Sequence, residues 1–378
     1  MKKIAIYFIT WRLLLLVPLI VAHLLIPDYR VHYEYTQIWN HILPYNPVNN
    51  PVIFPWANFD GVHYLNIAAN GYRDNVRFFP LFPLLISIFS KPFSVTPYSF
   101  IYFLNGLLIS NLSFIASLYV FYKLLRLDYN RQIAQKSLLF LLVFPCSFFF
   151  AAIYTEGLFL LLALLCFYFS RKEKWFLASI CGMLLSATRL VGVFILPALL
   201  IEYWISKEKS PQKLLSLFLI PLGIISFSYF CFTQWGKPLY FIQAAGQLSN
   251  GRSVNSFVFL PQTLFRYIKI LFTVSYIQFE WSIALLELTS FIFASVLLYV
   301  AYKKKVRISY IVFGALCLLL PALSGTFTGL PRYIAIIFPM FMALALVENK
   351  NLQKLYVVLS IILSFVLLMF FARGYYIA

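Results

Sequence analysis

Long stretches of this chain offer water nothing to bind. Leu138–Phe150, Leu158–Phe169 and Leu355–Phe371 run without a charge, and no polar face recurs at helical spacing in them. Such runs fold only where apolar side chains can face lipid, and in lipid the backbone must satisfy its own hydrogen bonds. With 62% hydrophobic and 11% charged residues, the chain is far from a soluble composition. The fold class expected is an all-α polytopic membrane protein.

About 20 apolar residues cross a bilayer. Spans are expected near 4–26, 98–122, 136–153, 157–170, 175–190, 191–205, 214–233, 281–302, 308–323, 331–347 and 355–372. The first contains Arg12 and lacks a small-residue cleavage site, so it reads as a retained helix. The segment Phe78–Phe89 is apolar but too short to cross, and it is expected to lie at the interface.

The formal charge of +18 does not point to nucleic acid, because the basic residues fall in short clusters between apolar runs and not in an aromatic-basic soluble module. With the N-terminus placed in the cytoplasm, 18 of the 30 Lys and Arg residues fall on that side: the pair Lys2 and Lys3 and the clusters around 123–136, 171–174, 207–213, 303–307 and 350–354. This bias sets the orientation. Two long loops, 27–97 and 234–280, then lie outside, and the chain 1–378 reads as one membrane domain. All five cysteines lie inside expected spans and read as packing residues.

The polar residues left on the outer side carry the candidate chemistry. Asp60 opens Asp60-Gly-Val-His63-Tyr64, with His63 three residues on and on the same helical face. A carboxylate there suits a general base acting on a hydroxyl, and it equally suits a helix N-cap. His63 orients Asp60, meets substrate or sits as an interfacial aromatic. Glu156, in Tyr154-Thr-Glu156, adjoins hydrocarbon, where an acid is costly and usually functional, the alternative being a turn residue reaching water. Arg189 and Arg332 sit at two outer junctions, where a guanidinium suits a lipid phosphate or merely snorkels to headgroups. Arg252, Arg266 and Lys269 in the second long loop are weaker candidates of that kind. His23, His32, His41 and His63 show no metal-binding spacing, so no metal or other cofactor is expected.

The block Asp60–Tyr72, then Phe78-Phe-Pro-Leu-Phe-Pro-Leu, Tyr154-Thr-Glu156, Thr188-Arg189 and Pro331-Arg332-Tyr333 resemble, in that order, the family of the GPI mannosyltransferase that adds the second mannose, with its bacterial relatives. The chain departs from that family at Phe59, where the family usually has Trp; Trp56 stands three residues earlier. The resemblance implies a GT-C glycosyltransferase fold, juxtamembrane helices in the first outer loop, an essential acid at Asp60 and a polyprenyl-phosphate-linked sugar as donor substrate. With that role for Asp60, the catalytic residues expected are Asp60, His63 and Glu156, with donor phosphate binding by Arg189 and Arg332. Substrate contacts are expected from Trp56, Tyr64, Tyr72, Tyr154 and Tyr333.

The expected partners are membrane lipid, that donor and a hydroxyl acceptor on a glycolipid, a polymer or a protein. Compact loops favour a bacterial plasma membrane over endoplasmic reticulum, with the site on the extracytoplasmic face. Two rival readings are a transporter of lipid-linked sugars, whose signature is polar groups at midplane, and a non-catalytic membrane subunit.

Overall fold

The computed structural model describes residues 2–29, 52–73, 75–93, 99–206, 209–248, 253 and 257–378. The described elements are helices, joined by turns and short 3₁₀ segments. In chain order they are α1 (Lys2–Leu14), α2 (Leu16–Leu25), α3 (Asp60–Asn70), α4 (Leu81–Ser90), α5 (Phe100–Leu125), α6 (Arg131–Leu142), α7 (Glu156–Arg171), α8 (Trp175–Ser186) and α9 (Ile195–Ile205). Then come α10 (Pro211–Leu217), α11 (Leu222–Trp235), α12 (Tyr240–Leu248), α13 (Leu260–Thr273), α14 (Phe279–Lys303), α15 (Ile308–Ala322), α16 (Leu330–Tyr333), α17 (Pro339–Leu346) and α18 (Lys350–Ala372).

The expected spans all fall on helical segments, and five segments are long and apolar enough to cross a bilayer: Lys2–Leu25, Phe100–Leu125, Pro211–Trp235, Phe279–Lys303 and Lys350–Ala372. Several of the others are shorter or broken. The segment 136–153 ends as an α-helix at Leu142, ahead of Pro145, and resumes as a 3₁₀ turn at Ser147–Phe150. Proline has no N–H to donate and clashes with the preceding turn. The segment 331–347 is likewise divided, α16 and α17 each carrying a proline in the first turn where that lost donor costs nothing. In the segment 191–205, residues Leu190–Phe194 wind as 3₁₀ before α9.

These breaks fall beside the candidate site. Helix α7 gives the scale: it starts at Glu156, ends at Arg171 and rises about 24 Å over its 16 residues. At its far end Arg171 forks onto Asp128 at 2.6 and 2.7 Å. The same end holds Arg307 with Glu202, Lys213 with Glu173 and Lys304 with Glu348. The basic clusters assigned above to one side of the membrane thus gather at one end of the bundle, and the acids and arginines of the candidate site gather at the other.

Helix α5 packs closely against α7, and Gly157 permits it. A Cβ on Gly157 would lie 2.8 Å from the Ser110 carbonyl oxygen, a backbone atom that cannot swing away. Gly157→Ala is expected to cost about 1–3 kcal/mol by overpacking and to move the neighbouring Glu156. A lower melting temperature of the purified variant would show it, and an unchanged one would contradict this packing account.

The apolar core runs from Ile4 to Ala378, and a smaller cluster of Val76, Phe79, Phe227, Cys231, Phe241 and Ala244 packs the loop after α3 against α11 and α12. Helix α4 has ten residues and is about 15 Å long, so it cannot cross; it packs against α3 and α5.

Candidate active site

The approach to Asp60 is built by backbone interlocks. The 3₁₀ turn Phe54–Ala57 offers the Trp56 carbonyl to the Ile153 N–H at 2.7 Å. Asn58, fully buried, donates from Nδ2 to the Phe371 carbonyl at 2.7 Å, and its own carbonyl accepts the Tyr154 hydroxyl at 2.7 Å. Phe59 follows with φ +58° and ψ −113°, a backbone region that favours glycine. A non-glycine residue there costs on the order of 1–3 kcal/mol and persists only where its surroundings over-determine it. Here the Phe59 ring packs against Phe371 and Tyr376, with centroids 5.7 and 5.6 Å apart.

Asp60 begins α3, but its carboxylate does not cap that helix, whose N-cap position carries no side-chain hydrogen bond. The cap reading is therefore corrected: the carboxylate turns to arginines. Asp60 Oδ2 meets Arg332 Nη1 at 2.7 Å, and Oδ1 lies 3.7 Å from Arg77 Nη2. Arg332 Nε lies 3.3 Å from Glu156 Oε1, and that same oxygen accepts from Arg189 Nη1 at 2.7 Å. Residues from four separate parts of the chain thus form one chain of alternating charge: Arg77, Asp60, Arg332, Glu156, Arg189.

Aromatic rings hold the guanidiniums in place. Arg332 lies over Tyr154 and Tyr333, each 5.0 Å from centroid, and donates from Nη2 to the Tyr333 hydroxyl at 3.2 Å. Arg189 lies over the same Tyr333 ring at 4.6 Å. A guanidinium over a ring face gains from the ring quadrupole most where water is excluded.

The cluster forms one wall of a cavity of about 2070 Å³. Asp60, His63, Tyr64, Glu156, Arg332 and Tyr333 all line it, as does Arg189. Tyr72, Tyr154 and Trp56 do not share that placement. Tyr72 donates to the Phe78 carbonyl at 2.7 Å and packs on Phe227. Tyr154 is buried beneath Arg332. Trp56 is buried under Arg12, whose guanidinium carbon lies 3.9 Å from the ring centroid. The structure gives these three rings support of the protein as their visible role, and it places the aromatics Tyr64 and Tyr333 at the cavity.

Two of the charged cavity residues without a sequence-based assignment bear on the site. Arg77 is one. The other is Glu287, a buried acid inside the apolar helix α14. It accepts from the Tyr267 hydroxyl and from the Gly329 N–H at 3.3 Å, and so ties α13 and α14 to the turn that bears Arg332. An acid in the apolar interior of a 25-residue span, away from the charged residues at its ends, was the available signal. From the second long loop, Arg266 lines the cavity and donates to the Gly325 carbonyl at 3.2 Å, while Lys269 is exposed. Arg252, His32 and His41 lie outside the described residues.

Burial by itself would raise the Asp60 carboxyl, but the guanidiniums of Arg332 and Arg77, with His63 nearby, outweigh it and hold it below the usual range. Burial, then the Arg77 charge, pushes His63 down to about 4 against an upward pull from Asp60. Between the ordinary imidazole value near 6.5 and about 4, an unfolded chain takes up this proton and the folded one does not. Stability contributed by His63 is therefore full above that window and falls as pH drops through it. We expect His63→Asn to flatten that part of the stability-against-pH curve, measured by thermal melts from pH 7 to 4. An unaltered slope would contradict a neutral His63.

A bundle of membrane helices with a carboxylate–guanidinium chain at the mouth of a large cavity defines the class: an integral membrane protein with a built polar site at one end. Residues 1–286 match the family described as mannosyltransferase (PIG-V), and the chain belongs to that family. The resemblance read from the sequence motifs is thereby borne out. No curated protein sequence matches the chain.

Among solved structures, an Archaeoglobus fulgidus oligosaccharyltransferase in complex with Zn and sulfate is similar at 14% identity and a TM-score of 0.42, over 95% of this chain and 53% of that one. The same organism's enzyme tethered to an acceptor peptide containing the NVT sequon gives 14% identity and a TM-score of 0.44, over 97% and 55%. The chain thus spans about half the length of those structures. Likeness at that level is too distant to carry an inference about this site.

Proposed function

We propose that the protein is an inverting mannosyltransferase that takes its sugar from a polyprenyl-phosphate donor and works at the extracytoplasmic face. One observation carries this reading: the Asp60 carboxylate stands at the wall of a cavity large enough for a lipid-linked sugar, beside fixed guanidiniums. Family membership supports the sugar and the reaction class. The charge bias of the loops supports the face.

In the proposed reaction an acceptor hydroxyl oxygen attacks the anomeric carbon. The bond from that carbon to the phosphate oxygen breaks, and its electron pair leaves with the phosphate. Asp60 takes the hydroxyl proton, help that typically contributes about 10²–10⁴-fold. Arg332 and Arg189 set a positive potential against the departing phosphate, and fixed charges in a water-poor site need no reorganisation as it leaves. Glu156, buried between the two arginines, keeps both aimed. Tyr64 and Tyr333 line the space for the sugar.

The test is incubation of the purified protein in lipid nanodiscs with polyprenyl-phosphomannose and a panel of hydroxyl acceptors. Mass spectrometry should show release of polyprenyl phosphate, and NMR an inverted anomeric centre in the product. Movement of intact donor between leaflets without consumption would favour the transporter reading. Binding with neither outcome would favour a non-catalytic subunit. Labelling of a cysteine introduced at Asn75 by an impermeant reagent on whole cells tests the face, and labelling only after lysis would overturn that part.

A further inference from the structure

Three arginines surround the two site acids, and they are not equivalent. Arg332 has a side chain 6% exposed, with Asp60 at 2.7 Å and Glu156 at 3.3 Å. Arg189 is engaged by Glu156 at 2.7 Å, an acid only 1% exposed. Arg77 is the loose member. Its only ion pair among the described residues is with Asp60 at 3.7 Å, beyond hydrogen-bond range, and its side chain is 24% exposed. Its Nε, like that of Arg332, is buried without a hydrogen-bond partner, but among the described residues Arg77 has no close carboxylate to hold it, and its guanidinium carbon rests 4.6 Å from the Phe78 ring centroid. Arg77 also lines the cavity, in the turn between α3 and α4.

A buried guanidinium N–H left without an acceptor costs free energy, and ligands that supply the acceptor recover it. The local charge has the same sense. Among the described residues that pair in the cluster, three guanidiniums face two carboxylates, and with His63 held neutral they carry one net positive charge. Arg332 and Arg189 cannot turn to an anion without abandoning a carboxylate. Arg77 can, at the loss of one long contact.

We propose that Arg77 is the residue that directly binds the phosphate of a lipid phosphate in this cavity, with Arg332 and Arg189 acting on it only through their field. This deepens the donor reading above and rests on it for the identity of the lipid. Two phosphate oxygens would accept, one from Nε and one from an Nη of Arg77, the paired arrangement that the planar fork favours. Binding would have a second effect. Arg77 lowers the basicity of Asp60, and a phosphate that engages Arg77 relieves that pull. The donor thus prepares the base that the acceptor needs, and an acceptor hydroxyl arriving first meets a weaker one.

The experiment measures binding of short-chain polyprenyl phosphate to the purified protein by native mass spectrometry, with polyprenol and inorganic phosphate as the other arms. Wild type should bind the lipid phosphate more tightly than either. Arg77→Gln should weaken it about 10–100-fold, the scale of a lost charge-assisted pair, and leave polyprenol unchanged. Arg77→Lys keeps a charge but not the fork, and should fall in between. If Arg77→Gln does not fold, Arg77→Lys alone should bind severalfold more weakly, and equal affinity would overturn the proposal. Wild-type binding of inorganic phosphate as tight as that of the lipid phosphate would refute the lipid source.

Failure here is separable from failure of the proposed function. Donor turnover in Arg77→Gln with an unchanged KM would sink the Arg77 assignment and leave the transferase standing. Tight, Arg77-dependent lipid phosphate binding in a wild type that consumes no donor would do the reverse.

Discussion

Asp60→Asn should lose at least about 10²–10⁴-fold in transfer rate, and the chain should still reach the membrane folded. The amide keeps the shape of the carboxyl and can still accept from Arg332, now 2.7 Å from Oδ2, but it cannot carry the acceptor's proton. Some melting temperature should be lost as well, since Arg332 and Arg77 both lose an ionic partner. The two effects are separable. Lipid phosphate binding should survive in Asp60→Asn, because no proposed phosphate contact is removed. Full turnover in this variant would end the assignment of Asp60 as the base. Loss of both binding and turnover would point instead to collapse of the site.

Arg332→Ala should be the most damaging single change to the fold around the site. It deletes the link between Asp60 and Glu156 and leaves two acids facing each other, one of them almost entirely buried. Breaking a buried ion pair by removing one partner typically costs about 3–5 kcal/mol, and here Arg189 still holds Glu156 and Arg77 still faces Asp60, which places the loss at the lower end. Both melting temperature and transfer should drop. Arg332→Lys should recover part of the stability and little of the activity: one ammonium cannot reach Asp60, Glu156 and the Tyr333 hydroxyl together. A stable, active Arg332→Ala protein would show that this chain of charges does not hold the site.

Apolar runs and charge placement made the bundle and its two chemically distinct ends legible before any coordinates. The reason is physical: hydrocarbon tolerates few alternatives, so length and charge alone locate most helices. The polar residues expected on one side, Asp60, Glu156, Arg189 and Arg332, do converge. Their pairing was not legible, since which acid meets which arginine depends on how four separated turns stack. The breaks ahead of Ser147 and at Leu190 were hidden for a related reason, because an apolar run reads the same whether it is wound straight or interrupted. Arg77 is one of two arginines in an ordinary polar turn, without periodicity or motif to mark it. Trp56 and Tyr154 carry the chemistry of sugar-stacking rings, yet the interlocked backbone turns them inward.

The hydrogen bond from Asn58 to the Phe371 carbonyl crosses 313 positions of sequence. A ribosome completes Asn58 313 residues before it reaches Phe371. The segment ahead of Asp60 therefore waits in the translocon's surroundings, its amide without this acceptor, until α18 has been inserted. Shortened chains ending before α18 should integrate most of the preceding helices and remain inert, because α18 supplies the carbonyl that fixes the reactive turn.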